Sequence, residues 1–135
     1  MPLLRWTQDL SVKIAELDDQ HKELMNLANL LYDSMKEGKG KDVLGKILNN
    51  LADYAVYHFE TEERLFRKYD YPEYLNHKKE HDDLIKEVVK LARDYEKGEF
   101  IINTNLINLL EWWLDNHIIH SDKKYSSFLN AKGVV

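Results

Sequence analysis

Cysteine is absent from the 135-residue sequence, which removes disulfides, thiolate metal sites, iron-sulfur clusters and cysteine nucleophiles together. Any bound metal must therefore sit on nitrogen and oxygen. Basic charge is also short: 19 Lys and Arg stand against 24 Asp and Glu, a formal net charge of -5. No basic footprint marks nucleic acid or an anionic membrane as the principal partner. Long apolar runs are missing, since nothing approaches the ~20 residues needed to span a bilayer. The opening MPLLRWTQDL lacks the basic-then-apolar order of a secretory signal. A cytoplasmic protein without stable membrane insertion is expected.

Only two prolines and five glycines interrupt the chain. Gly38 and Gly40 in KEGKGK, Pro72 in YDYPE and Gly98 in EKGEF separate segments of helical length. The expected helices run over about 18–37, with Asp18 or Asp19 near the cap, 41–69, 72–96, and from the Asn103/Thr104 region to 121. Each carries apolar positions at three-and-four spacing, the mark of a helix facing a bundle core. The first stripe is Leu17, His21, Leu24, Ala28, Leu31 and Met35. The second runs Leu44, Leu48, Leu51, Ala55, His58, Glu62, Leu65. The third runs Tyr74, His77, His81, Leu84, Val88, Leu91, Tyr95, and the fourth Leu106, Leu110, Trp113, His117. Short connections predict an all-α, up-down-up-down antiparallel four-helix bundle. The whole is read as a single domain: an N-terminal arm over 1–17, the bundle over 18–121 and a C-terminal segment over 122–135.

The anomaly lies in those stripes, which put five of the six histidines and Glu62 inside the bundle. A single buried histidine is ordinarily a hydrogen-bonded core residue. Five of them with a carboxylate, left without partners, would cost about 1–3 kcal/mol each, more than a small domain can absorb. Antiparallel packing brings His21, His58, Glu62, His77, His81 and His117 to one end. Asp122 lies five residues beyond His117, and joins them only if the fourth helix ends, bulges or tightens there. Five nitrogens and two carboxylates exceed the needs of one tetrahedral zinc, so two metals are indicated. If both carboxylates and a solvent-derived oxygen bridge them, an ion with three histidines becomes six-coordinate. The other, with two, keeps an open position. Imidazole and carboxylate donors suit iron, although affinity order does not exclude other first-row metals.

The chain resembles the hemerythrins, particularly the single-domain bacterial branch, in LDDQHKEL around His21, HFETEE from His58 through Glu62, YPEYLNHKKEH through His77 and His81, and HIIHSDKKY from His117 through Asp122. RWTQDLSVKIAELD extends the likeness into the arm. The resemblance implies two non-heme irons per chain, one held by His77, His81 and His117 and the other by His21 and His58, bridged by Glu62, Asp122 and an oxo or hydroxo group. It implies reversible O2 binding at the open position, for oxygen storage, transport or delivery, rather than enzymatic activity. Leu24, Phe59, Trp113, Leu114 and Ile118 are the expected lining of a dry O2 pocket. O2 is then the partner, together with an O2-consuming enzyme as recipient, and the chain is expected to be a monomer.

Other readings compete with this one. HKKEH matches the inverted zinc-peptidase pattern H-x-x-E-H, with Glu80 as base. That reading leaves His21, His58, His117 and Glu62 without a purpose, and Glu80 sits off the core stripe where a solvated carboxylate is expected. His120 matches no ligand and reads as a partly solvated residue. Tyr54 and Tyr125 read as packing or hydrogen-bonding residues that could serve a di-iron enzyme acting on peroxide or nitric oxide. An O2-sensing or iron-holding module is a third class; a sensor would carry an output domain, and two ions make poor storage. Trp112 and Trp113 must point in different directions, so only one faces the cluster.

Overall fold

The structure, a computed structural model, describes residues 4–96 and 104–135, apart from the side chains of Lys41, Leu91, Asp94, Glu96, residues 104–107, Leu114 and Asp115. The expected stripe residues Leu91 and Leu106, the expected start near Asn103 and the lining residue Leu114 therefore fall outside the described residues or side chains. Among the described residues there is no strand. Helices α1 (Ala15–Lys36), α2 (Lys41–Lys68) and α3 (Tyr74–Glu96) are followed by α4 (Thr104–Trp112), a π-helical segment (Trp113–Asp122) and α5 (Lys123–Ala131). The last three run on as one rod, and with it α1, α2 and α3 form a four-helix bundle.

Three boundaries differ from the sequence reading, and the simplest is that α3, expected from 72, begins at Tyr74 and leaves Pro72 in the turn before it. Helix α1 begins at Ala15, and Asp18 is not its cap. Its carboxylate instead reaches back to accept from the Val12 amide at 2.8 Å and the Ser11 hydroxyl at 2.5 Å, tying the arm to the first turn. The fourth helix does not stop at 121, because widening to π geometry lets it continue through Asp122 into α5. Helix α1 ends where Gly38 adopts φ 71 and Lys39 donates back to the Ser34 carbonyl, a left-handed close that glycine accepts without steric cost.

The core has two parts. Leu24, Met25, Ala28, Leu31, Leu48, Leu51, Leu110, Trp113 and Ile118 pack through the middle of the bundle. At the other end Val12, Ile14 and Leu17 of the arm and α1 meet Phe66, Tyr71, Tyr125 and Leu129. Arm and α5 are latched by Ser126 donating to the Val12 carbonyl at 2.6 Å and Asn130 to that of Lys13 at 3.1 Å. His77 packs against Phe66 and Tyr125 of this second part. None of the described helices is long and apolar enough to cross a membrane.

Candidate metal centre

All five expected histidines and both carboxylates are buried at one end of the bundle. One group is Glu62, His77, His81, His117 and Asp122, and a second is His21, His58, Glu62 and Asp122; within each, one ligand atom per residue lies within 4.8 Å of every other. The carboxylates belong to both. Asp122 divides its oxygens: Oδ1 stands 2.9 Å from His77 Nε2 and 3.1 Å from His117 Nε2, while Oδ2 stands 3.0 Å from His21 Nε2. Glu62 Oε1 lies 3.0 Å from His81 Nε2 and 3.5 Å from His58 Nε2, and its Oε2 lies 3.6 Å from His21 Nε2.

The π-helical segment is what brings Asp122 in. In an α-helix, residues five apart point roughly 140° away from each other. The i→i+5 register of a π-helix returns them to one side, so His117 and Asp122 share a face.

Distances alone would describe an ion-pair cluster, but alignment says otherwise. His21 Nδ1 and Nε2, His58 Nε2, His77 Nε2, Glu62 Oε1 and both Asp122 oxygens are buried without a hydrogen-bond partner. Left so, these groups would cost on the order of 10 kcal/mol together, comparable to the whole stability of such a domain. His81 Nε2 and His117 Nε2 converge to 3.1 Å although both Nδ1 atoms face carboxylates. A set of nitrogen and oxygen atoms directed at shared space, close to one another but not aligned for hydrogen bonds among themselves, fits cations.

The outward ring nitrogens are held by residues that the sequence reading did not select. His58 Nδ1 meets Gln20 Oε1 at 2.7 Å, and Gln20 Nε2 reaches Thr61 Oγ1 at 3.4 Å. His81 Nδ1 meets Glu63 Oε2 at 2.9 Å, and His117 Nδ1 faces Glu80 Oε2 at 3.5 Å. Because those oxygens only accept, each Nδ1 carries the proton that points outward, leaving Nε2 as the inward donor atom. Glu80, expected as a merely solvated carboxylate, also accepts from Ser121 Oγ at 2.9 Å. Tyr125 is fully buried and donates to Glu62 Oε2. A simple signal marks three of these residues: Gln20, Glu63 and Glu80 each flank a cluster residue on their own helix and grip a histidine on the next.

Charge in the metal-free cluster follows from this packing. Burial alone would lower His21, His77 and His117, but Asp122 and Glu62 around the first two, and Asp122 and Glu80 around the third, outweigh it and raise them to about 9, 10 and 9. Burial dominates at His58, which is held down to about 3. Burial would raise Glu62 and Asp122, yet the surrounding imidazoles hold both well below the usual carboxylate range. Tyr125 is pushed well above its ordinary value by burial and by Glu62. Without a cation the centre therefore holds imidazolium protons that a metal would displace.

An apolar cavity of about 30 Å³ lies among Leu24, Leu51, Phe59, Leu84, Val88 and Trp113. Phe59 stacks on the His81 ring at 3.9 Å and 8°, so the cavity and the cluster share a wall. Leu24, Phe59 and Trp113 thus stand where the lining was expected. Ile118 is fully buried in the same core but does not border this cavity. Trp113 is buried and Trp112 is 54% exposed, so it is Trp113 that turns inward; His120 is exposed.

Fold and cluster together define a four-helix-bundle protein with a histidine-rich, carboxylate-sharing site of metal-ligand composition. Residues 12–129 match the family described as Hemerythrin HHE cation binding domain. The Bacteriohemerythrin of Methylococcus capsulatus is 35% identical over 97% of this chain and 100% of its own length. That of Stenotrophomonas maltophilia is 31% identical over 97% of this chain and 84% of its own. A wild-type hemerythrin crystal structure matches with a TM-score of 0.87 and 34% identity, covering 93% of this chain and 96% of that one. The chain belongs to the hemerythrin family.

Proposed function

We propose that the chain binds O2 reversibly at a non-heme centre of two irons, for storage or delivery of the gas rather than its chemical consumption. The observation that carries this reading is the sharing of Glu62 and Asp122 between a three-histidine group and a two-histidine group. His77, His81 and His117 would hold one ion, His21 and His58 the other, and the two carboxylates both. The unequal histidine count would leave one ion short of a ligand, and kinship with the hemerythrins, a cation-binding family, supports iron as the metal. When bound, the pair supplies the reversible ligation of O2 that no side chain can provide.

The protein's own residues have two tasks. Gln20, Glu63 and Glu80 fix the orientation of His58, His81 and His117, so the donor atoms are set before a metal arrives. Leu24, Phe59 and Trp113 keep water from the open side; exclusion of water and acids would preserve a bound gas from irreversible loss. Nitrogen donors outnumber carboxylates here, in contrast to the carboxylate-rich di-iron bundles, which favours binding over oxidation of a substrate.

Glu63→Gln is expected to weaken metal binding about 10- to 100-fold, as loss of a histidine-orienting carboxylate does elsewhere. Competition with a chelator measures this, and unchanged affinity would remove Glu63 from the orienting role. The function itself is tested by cycling reduced, iron-loaded protein between O2 and argon. A visible band that forms with O2 and fades without it over repeated cycles supports the carrier. Conversion to a stable ferric form on first exposure, with turnover of peroxide or nitric oxide, would replace it with an enzyme.

A further inference from the structure

The apolar cavity described above suits a neutral gas, but a hydrated cation crossing it would have to shed its water against hydrocarbon walls. A cavity of different character, about 110 Å³, lies between the start of α3 and the end of the π-helical segment. Glu73, Glu80, Ser121 and Lys124 line it, with Tyr71 and Asn76, and one edge of His77 forms part of its wall. It has room for several waters.

His77 is common to this cavity and the buried cluster. It is only 3% exposed, and its Nε2 is one of the atoms left without a hydrogen bond, 2.9 Å from Asp122 Oδ1. Glu80, with its side chain 48% exposed, reaches inward to His117 Nδ1. Two imidazoles of the three-histidine group are thus approached from this side through polar atoms. Glu73 is exposed and accepts from Asn76 Nδ2 at 2.7 Å. Glu73 and Glu80 thus set two carboxylates at the exposed mouth, with Lys124 beside them.

We infer that this polar cavity is the port through which divalent metal ions enter the buried centre, Glu73 and Glu80 being the carboxylates an incoming ion meets first. The inference rests on the reading of the cluster as a metal centre. Oxygen donors at the mouth replace the ion's water stepwise, and His77 and His117 take it over from inside. Gas and metal then reach the same cluster by routes of opposite polarity.

Anaerobic stopped-flow mixing of metal-free protein with Fe(II), followed by tryptophan quenching with bound iron assayed at the end point, tests the port. Glu73→Gln is expected to slow uptake about three- to ten-fold at low salt, and Lys124→Glu to accelerate it by a similar factor. Both variants should reach the wild-type end point, and both effects should shrink in about 0.5 M salt. Glu37→Gln, an exposed carboxylate at the far end of α1, should keep the wild-type rate. Wild-type rates in Glu73→Gln and Lys124→Glu, with the full complement of iron bound, would overturn the port and leave the centre standing. Absence of iron uptake by the wild-type chain would overturn both.

Discussion

Glu62→Ala is expected to bind fewer than two irons per chain and to lose the O2-dependent visible band. Glu62 lies within 3.0–3.7 Å of Nε2 on His21, His58, His77 and His81, so it faces donors from both groups at once. Its removal leaves Asp122 as the sole shared carboxylate, and the two-histidine half keeps too few donors to hold iron firmly. Tyr125→Phe is the matched control: it deletes the hydroxyl that bonds Glu62 and spares the carboxylate, so both irons should remain. Iron assay and absorption spectra decide the matter. Two irons and an intact band in Glu62→Ala would show the bridging assignment to be wrong.

Metal removal should produce the second large effect. Donors come from α1, α2, α3 and the π-helical segment, so bound metal ties all four rods together. Stripping it is expected to lower the melting temperature by about 10 °C or more. The metal-free form should also show a pH profile that the loaded form lacks. His21, His77 and His117 have folded values of about 9, 10 and 9 against 6.5 in the unfolded chain. Their contribution is complete below pH 6.5, then falls as pH rises through 9 to 10, because the folded state retains protons that the unfolded state has released.

His58 works in the opposite sense. Its folded value of about 3 makes its contribution present above pH 6.5 and lost as the pH falls. Glu62 and Asp122, also depressed, lose theirs at lower pH, below the ordinary 4.5 and 3.8. Stability of the metal-free protein should therefore peak near pH 6.5. In the loaded form the metal has displaced the imidazolium protons, and the alkaline decline should vanish. Denaturant titrations of both forms between pH 5 and about 10 measure this; equal slopes above 6.5 would contradict it.

Six of the seven cluster residues were legible because a helical stripe is a strong signal and imidazoles on it are out of place. His58 and Glu62, like His77 and His81, are one turn apart, so their shared face follows from periodicity alone. Asp122 was different. Its spacing from His117 fits no α-helix, and only the π-helical register explains how it enters and why α5 continues beyond it.

Gln20 and Glu63 escaped notice, and Glu80 was read as merely solvated, because a polar residue beside a ligand looks like an ordinary solvated face. Their role depends on the neighbouring helix, a tertiary fact that no single stripe contains. Asp18 misled for a related reason: a carboxylate near a helix start reads as a cap, while its actual partners lie in the arm. The two cavities, one apolar and one polar, were likewise invisible in the stripes, since each is bounded by side chains from more than one helix.

The most direct measurement of the central claim is the iron content of wild-type protein loaded anaerobically under reducing conditions and freed of excess metal. Two irons per chain is the result predicted by a centre built on shared Glu62 and Asp122. One iron per chain, or none, would contradict it.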